Sequence, residues 1–209
     1  MQLERIRTQI AATQQWRGAP LGEAGDMSAL ERRQAHAVLG RKIRPAGVLI
    51  LLVERDDAFN VVLTQRTAHL HDHAGQISFP GGRQDEEDAD IVATALRESA
   101  EEIGTDSTRI EVVGTLPNYV TVTAYEVTPV VAASAPQHYR VDPFEVADVF
   151  EVPLAHLLDE ANWRRDSFMR EGKRREYWAV PWRERYIWGA TAGMLRTFRE
   201  VLLHEPQND

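Results

Sequence analysis

The longest apolar run in the chain, AGVLILLV at residues 46–53, limits the possible folds more than any other feature. It has the length of a β-strand and is much shorter than the run of about 20 apolar residues that a membrane-spanning helix requires. A second β-rich run, NVVLTQR at residues 60–66, follows after a polar turn that begins at Asp56. The two runs predict a β-hairpin at the start of a sheet.

The rest of the chain alternates predicted strands with predicted helices. Strands are predicted at residues 75–79, 109–116, 125–133 and 145–153, and a further hairpin within residues 163–182. Helices are predicted at residues 89–103, 154–161 and 190–203, the first with Asp88 as its N-cap and Gly104 at its C-terminal end. Residues 1–44 are predicted to be helical and polar, with a capping-box pattern at Ser28 and Glu31. These elements predict an α/β fold in which a mixed β-sheet lies between helices.

Length and composition indicate a soluble protein with one main domain. The chain has 209 residues, so we expect a helical extension at residues 1–44 and one domain at residues 45–209. A net charge of −8 gives no support for binding to nucleic acid or to a membrane surface. The chain has no cysteine, which excludes disulfides and thiolate chemistry. Its first residues are charged and contain no apolar signal segment, so we expect a cytoplasmic protein.

The sequence ALRESAEEIG at residues 95–104 places three glutamates on one predicted helix. At about 100° per residue, Glu101 and Glu102 lie within about 60° of Glu98 around the helix axis. The opposite face, expected to pack on the sheet, contains Val92, Ala93, Leu96, Ala100 and Ile103. A solvated surface is the simplest interpretation of such glutamates. However, like charges four residues apart repel each other, and the helix dipole disfavours anions near the C-terminus. Mg²⁺ or Mn²⁺ would remove this penalty, because hard cations bind clustered carboxylates together with phosphate.

The segment GGRQDEEDADIVATALRESAEEIG at residues 81–104 resembles the Nudix box, the signature of Nudix hydrolases. That box ends in the pattern R-E-x-x-E-E-x-G, which is matched here by Arg97, Glu98, Glu101, Glu102 and Gly104. The segment departs from the general box in three ways. There is one additional residue between Gly82 and Arg97, Asp88 stands for an earlier glutamate, and Ser99 occupies a usually aliphatic position.

The longer spacing and the aspartate are similar to the coenzyme A pyrophosphatase branch of that family. The branch has a second pattern upstream, L-T-x-R-S-x-x-L-R-x-H-x-G-Q-x-x-F-P-G-G, and this chain has LTQRTAHLHDHAGQISFPGG at residues 63–82. It departs from the pattern at Thr67 and at His71, where an arginine is usual. The resemblance covers about residues 45–203, so the predicted fold is a Nudix-fold α/β/α sandwich.

The resemblance implies a function and a set of residues for it. The reaction would be divalent-metal-dependent hydrolysis of the pyrophosphate of coenzyme A or its thioesters, giving 3′,5′-ADP and 4′-phosphopantetheine or its acylated form. The implied ligands of Mg²⁺ or Mn²⁺ are Glu98, Glu101, Glu102 and the carbonyl of Gly82. Arg97 would orient a glutamate, and the base would be Glu102 or, from a later loop, Glu145. The expected substrate-binding residues are Arg66, His71, His73, Gln76 and Gly81.

Several alternatives stay open at this point. The same chemistry would also suit ADP-ribose or another nucleoside diphosphate derivative. A Nudix domain can instead be a ligand-binding or regulatory module without turnover, although the intact glutamates argue against it. His69, His71 and His73 would suit zinc, Arg66 would serve equally in a structural salt bridge, and Glu145 as a solvated loop carboxylate. Trp188 is predicted to be structural. The expected partners are a small-molecule substrate and, in a homodimer, a second copy of the chain.

Overall fold

The computed structural model of the chain describes residues 2–14, 42–69, 75–121, 123–170 and 173–204. Its helices are α1 (Leu3–Gln14), α2 (Ile91–Ile103), α3 (Leu154–Leu158) and α4 (Gly189–Leu203). Its strands are β1 (Arg44–Arg55), β2 (Ala58–Arg66), β3 (Ile77–Ser78), β4 (Gly81–Arg83), β5 (Ile110–Thr115), β6 (Tyr119–Val120), β7 (Tyr125–Ser134), β8 (Val146–Pro153), β9 (Arg164–Arg170), β10 (Lys173–Trp182) and β11 (Arg185–Trp188). Single 3₁₀ turns at Ser107–Arg109 and Glu160–Asn162 precede β5 and β9.

The main sheet is mixed and is organised around β1. Its path runs β3-β2-β1-β7-β5, and β8 pairs with β2, β4 with β1, and β6 with β7. Strands β1 and β7 are parallel, whereas β1 and β2 form an antiparallel hairpin. The hairpin turn contains Asp56 and Asp57, whose φ angles are 49° and 62°. Two residues with positive φ match the right-handed twist of the flanking strands, and the predicted hairpin is confirmed.

The side chains of β1 alternate between two cores, one on each side of the sheet. Leu49, Leu51 and Val53 join the cluster that includes Ala95 and Ile103 of α2. The intervening Ile50 and Leu52 join a larger cluster with side chains of α1, α3 and α4. Successive side chains of a strand point to opposite faces, so the apolar run at residues 46–53 is covered on both sides. The predicted mixed sheet between helices is confirmed.

Helix α1 packs on the same core as the sheet. Its Ile6 and Ile10 have no exposed area and share a cluster with Phe198 of α4. Gly114 of β5 has a φ of 155°, and a Cβ there would lie 2.8 Å from Cγ2 of Ile10. A larger residue at position 114 would therefore push the helix away. The helical prediction is confirmed for residues 3–14, whereas Ser28 and Glu31 lie outside the described residues.

A second, three-stranded antiparallel sheet contains β9, β10 and β11. Its inner face packs on the larger core through Val180, Ile187 and the partly buried Trp178. The predicted hairpin within residues 163–182 is confirmed, but β11 and the short β6 were not predicted. The run at residues 75–79 forms only the two-residue β3. In the described part of the chain, no helix is both long and apolar enough to cross a membrane.

Candidate active site

Two glycines bring the loop before α2 against β1 and against the helix. Strand β4 pairs Gly81 with Val48 and Gly82 with Gly47. Gly81 has a φ of 149°, and a Cβ there would lie 2.4 Å from the carbonyl oxygen of Gly47. A Cβ on Gly82 would lie 2.4 Å from Cδ of Glu98. Glycine at both positions therefore permits the close approach of this loop to the strand and to a glutamate carboxylate.

The N-cap of α2 is Asp90 rather than the predicted Asp88. The Asp90 carboxylate accepts a hydrogen bond of 2.8 Å from the Ala93 N–H. Asp88 is engaged elsewhere, because it accepts from the hydroxyl of Thr94 at 2.9 Å and from Arg97. At the other end Gly104 has a φ of 69°, and its N–H donates to the Ala100 carbonyl. The predicted glycine C-cap is confirmed.

The packed face of α2 agrees with the prediction only in part, because Val92, Leu96 and Ile103 pack in the core cluster as predicted. Its buried residues are Thr94, Ala95, Ser99, Glu102 and Ile103, whereas Ala100 is exposed. The helix is rotated so that Glu98 and Glu102 face the loop at Gly81 and Gly82, where backbone groups can meet a carboxylate. The Ser99 hydroxyl is 2.9 Å from the Thr105 hydroxyl. This buried hydrogen bond explains a serine where the family pattern is aliphatic.

Glu102 is a buried carboxylate with few compensating contacts. Its side chain is 6% exposed, and Oε2 accepts a hydrogen bond of 3.1 Å from the Gly81 N–H. The Arg66 guanidinium lies 3.7 Å from Oε1. Burial raises the pKa of Glu102 to about 8, against the opposing effects of the Gly81 N–H and Arg66, and nearby Glu145 and Glu98 add to the rise. Desolvation thus outweighs the favourable contacts.

Arg97 donates hydrogen bonds to three carboxylates, those of Asp88, Glu98 and Glu101. Its Nε and Nη2 each donate to Asp88 at 2.8 Å, and its Nη1 donates to Glu98 at 2.9 Å and to Glu101 at 3.1 Å. The paired bonds hold the pKa of Asp88 well below its usual range. Burial raises the pKa of Glu98, and the Arg97 hydrogen bond opposes that rise. Asp88 therefore fixes the position of Arg97, which contacts Glu98 and Glu101. In the sequence, Asp88 was notable only because it stands where the Nudix box has an earlier glutamate.

Arg66 and Glu145 approach this helix from other elements. Arg66 ends β2, its backbone N–H donates to the Gln76 carbonyl at 2.9 Å, and its Nε has no hydrogen-bond partner among the described residues. Glu145 lies in the turn before β8, and its charge contributes to the raised pKa values of Glu98 and Glu102. These contacts bring Arg66, Gln76, Gly81 and Glu145 to one region. His71 and His73 lie outside the described residues, and the His69 ring packs on Phe144 at 5.1 Å.

The donor set suits a hard divalent cation. Within the described ranges, no three histidine, aspartate or glutamate side chains converge as they would around a bound ion. In this structure Arg97 donates hydrogen bonds to Glu98 and Glu101, and the Gly81 N–H donates one to Glu102. Glu98 and Glu102 are nevertheless carboxylates whose burial raises their pKa values. A divalent cation would supply the missing positive charge, and carboxylate and carbonyl oxygens are its preferred ligands. Glu98, Glu101, Glu102 and the Gly82 carbonyl could therefore hold it.

Comparison with known proteins decides the family. The family model described as the NUDIX domain matches residues 43–172. The chain belongs to the Nudix hydrolase family. Over 155 residues it is 44% identical to the uncharacterized Nudix hydrolase NudL of Escherichia coli O1:K1 / APEC, an alignment that covers 73% of this chain and 80% of the relative. NudL of Shigella boydii serotype 18 matches to the same extent.

A solved structure supports the fold. The crystal structure of a Nudix hydrolase from M. smegmatis, RenU, superposes with a TM-score of 0.55 and 19% sequence identity, covering 81% of this chain and 91% of RenU. At this identity the match shows the shared fold alone. The Nudix fold predicted from the glutamate helix and its glycine loop is therefore confirmed. Nudix hydrolases generally use divalent metal ions, in agreement with the carboxylates assembled on α2.

Proposed function

We propose that this Nudix protein hydrolyses the pyrophosphate of coenzyme A or its thioesters, giving 3′,5′-ADP and 4′-phosphopantetheine or its acylated form. The observation that carries the proposal is the approach of Arg66 to Glu102 at 3.7 Å. Arg66 belongs to the upstream pattern LTQRTAHLHDHAGQISFPGG, and Glu102 belongs to the glutamate helix. The contact joins the substrate-associated pattern to the metal-associated one in a single site.

Each residue of the site has a separate proposed role in pyrophosphate hydrolysis. Glu98, Glu101, Glu102 and the Gly82 carbonyl would hold Mg²⁺ or Mn²⁺. When bound, the cation neutralises phosphate charge and acidifies the attacking water. Arg97 orients Glu98 and Glu101 through its fixed bonds to Asp88. The Arg66 guanidinium, whose Nε has no partner in the described part of the chain, donates to a phosphate oxygen.

The proton of the attacking water needs an acceptor within this site. Glu102 is the stronger candidate, because its carboxylate is buried beside the loop at Gly81, within the group of residues that would hold the cation. Glu145 is the second candidate, since its charge also acts on Glu98 and Glu102.

The 3′-phosphate of coenzyme A gives the experiment that tests the proposal. This dianion distinguishes coenzyme A from 3′-dephospho-coenzyme A and from ADP-ribose, and it requires a cationic partner. A charge-assisted phosphate contact is worth about 1.5–3 kcal/mol, which is roughly tenfold to a hundredfold in kcat/KM. We expect coenzyme A to exceed 3′-dephospho-coenzyme A by that factor and ADP-ribose to be cleaved poorly.

The measurement is kcat/KM for the three compounds, in Mg²⁺ and in Mn²⁺, at one pH and ionic strength. If ADP-ribose equals or exceeds coenzyme A, the coenzyme A assignment is wrong and another nucleoside diphosphate derivative is the substrate. If none of the compounds is cleaved but one binds tightly, the protein is a ligand-binding Nudix module. Each result selects one of these functions.

A further inference from the structure

The turn at residues 142–145, just before β8, is hydrogen-bonded to two elements of the candidate active site. One is the end of β2, where Arg66 pairs with Val146 of β8. The other is the end of α2, since the Asp142 N–H donates to the backbone carbonyl of Glu102 at 2.9 Å. The turn therefore connects the strand that ends in Arg66 with the helix that contains the glutamates.

Thr67, the residue after β2, fixes this turn through two hydrogen bonds. Its hydroxyl donates to the carbonyl of Phe144 at 2.8 Å, and its backbone N–H donates to the carbonyl of Glu145 at 2.9 Å. The threonine is only 6% exposed, so little water reaches it to compete for these bonds. The two bonds hold the carbonyls of consecutive residues, and with them the direction in which the Glu145 side chain leaves the backbone.

Asp142 closes the turn from within. Its carboxylate accepts a hydrogen bond of 2.8 Å from the Phe144 N–H, an arrangement that stabilises turns. Its carbonyl accepts from the N–H groups of Glu145 at 3.1 Å and of Val146 at 2.9 Å. All of these bonds are made to backbone groups of the turn, so they fix Glu145 without engaging its carboxylate.

The fixed turn directs a further carboxylate toward the glutamates of α2. The charge of Glu145 contributes to the raised pKa values of both Glu98 and Glu102, so its carboxylate lies near theirs. Like charges repel one another, and the Glu145 carboxylate would lie farther from the other two if nothing restrained it. The bonds from Thr67 and Asp142 supply that restraint.

We propose that Thr67 and Asp142 are positioning residues for Glu145, whose carboxylate contributes to turnover only from the place that they fix. The inference rests on the proposed function, in which Glu145 is a candidate acceptor for the proton of the attacking water. It adds to that function the two residues that make Glu145 effective. The threonine here and the serine of the upstream pattern both have the hydroxyl that this role requires.

The experiment measures kcat and KM with coenzyme A, and with ADP-ribose if coenzyme A is not cleaved. Thr67→Val keeps the size of the side chain but removes the hydroxyl. We expect it to lower kcat by about tenfold with KM nearly unchanged, because small displacements of a reacting group lower turnover steeply. Thr67→Ser keeps the hydroxyl and should retain most of kcat. Thr197→Val is the matched control and should leave kcat unchanged, because Thr197 is also buried but its hydroxyl donates to the Gly193 carbonyl within α4.

Glu145→Gln tests whether Thr67 acts through Glu145. This variant should itself lower kcat by about a hundredfold or more, and Thr67→Val should then cause no further decrease. Asp142→Ala should behave like Thr67→Val, whereas Asp142→Asn keeps an acceptor oxygen and should retain most of kcat. Mn²⁺ binding, followed by electron paramagnetic resonance, should be the same in the natural protein, Thr67→Val and Asp142→Ala.

The outcomes separate this inference from the proposed function. If coenzyme A is cleaved but Glu145→Gln keeps the natural kcat, the inference is overturned and the proposed function stands with Glu102 as the acceptor. If Thr67→Val lowers kcat equally with and without Glu145→Gln, or weakens Mn²⁺ binding, Thr67 supports the site by another route and the inference is overturned. If ADP-ribose is cleaved instead of coenzyme A, the coenzyme A assignment fails, and a loss in Thr67→Val that is absent beside Glu145→Gln still supports the inference. If neither compound is cleaved, both are overturned.

Discussion

The backbone N–H of Gly81 donates to Oε2 of Glu102 across 3.1 Å, and this hydrogen bond joins the glycine loop to the last turn of α2. The contact forms on the buried side of the helix, where the Glu102 side chain is 6% exposed. It provides only part of the stabilisation that an ionised carboxylate would have in water. In the metal-free protein the Glu102 carboxyl is therefore costly to ionise, and this cost has measurable consequences.

Replacing Glu102 with glutamine should separate activity from stability. Glu102→Gln removes a proposed metal ligand and the first candidate base, so turnover should fall by orders of magnitude. The same change removes a carboxyl group that is costly to ionise, so the melting temperature in EDTA should hold near neutral pH and rise above about pH 8, where the natural protein ionises Glu102. The measurements are kcat with Mg²⁺ and thermal unfolding in EDTA. Full activity, or an unfolded variant, would contradict the assignment of Glu102.

The pH dependence of stability should report the raised pKa of Glu102. The unfolded chain ionises this group near 4.5, whereas the folded protein retains the proton until about pH 8. The folded state therefore binds more protons in this interval, and its free energy of unfolding falls as pH rises, by at most about 1.4 kcal/mol per pH unit. Below the interval the contribution is fully present, and above it the contribution is lost.

Glu102→Gln is the control for this pH effect, because the variant lacks the titrating group. Urea unfolding of both proteins in EDTA at pH 5, 6, 7 and 8 gives the difference in stability at each pH. The natural protein should lose stability relative to the variant as pH rises. A constant difference would show that Glu102 is ionised throughout and that its burial is compensated.

Arg97→Lys should reduce activity although it keeps the positive charge. A lysine cannot make the paired bonds to Asp88 while also reaching Glu98 and Glu101, because its ammonium is a single point of contact. We expect kcat to fall by about tenfold or more, in the range seen when residues that orient metal ligands are changed. Arg83→Lys is the matched control in the same loop, since Arg83 is exposed and forms a longer pair of 3.4 Å with Asp85. Equal effects of the two changes would refute the orienting role.

Arg66→Ala should lower kcat/KM for coenzyme A and for 3′-dephospho-coenzyme A by the same factor, about tenfold to a hundredfold. The reason is its position 3.7 Å from Glu102, beside the helix that would bind the metal and the pyrophosphate. Arg66→Lys should recover part of the loss. If the change affects coenzyme A alone, Arg66 contacts the 3′-phosphate instead of the pyrophosphate.

Ile10→Ala should destabilise the whole domain. Ile10 is fully buried against Gly114 and the larger core, and truncation of a buried isoleucine costs about 2–5 kcal/mol. Arg5→Ala on the exposed side of α1 is the control and should change stability little. Denaturant unfolding measures both. A negligible effect of Ile10→Ala would mean that α1 is a separable extension of residues 45–209.

The sequence by itself determined those secondary-structure elements that depend on the residues within or next to them. The apolar run at residues 46–53 predicted β1, and the polar pair at Asp56 and Asp57 predicted the hairpin. Gly104 predicted the end of α2, because a left-handed C-cap is a property of the residue itself. The Nudix family followed from the resemblance of Arg97, Glu98, Glu101 and Glu102 to the known box pattern, and such a resemblance is visible in a sequence.

Only the tertiary structure decided which neighbour each side chain meets. Helical periodicity placed the glutamates on one face, away from the face expected to pack on the sheet, but it did not show that the loop at Gly81 meets Glu102 and that Glu102 is buried. Asp88 had the right residue type for an N-cap, yet the guanidinium of Arg97 binds it and Asp90 caps the helix. Both differences have one physical reason. Burial and charge compensation depend on groups that are distant in the chain, and local sequence patterns contain no information about those groups.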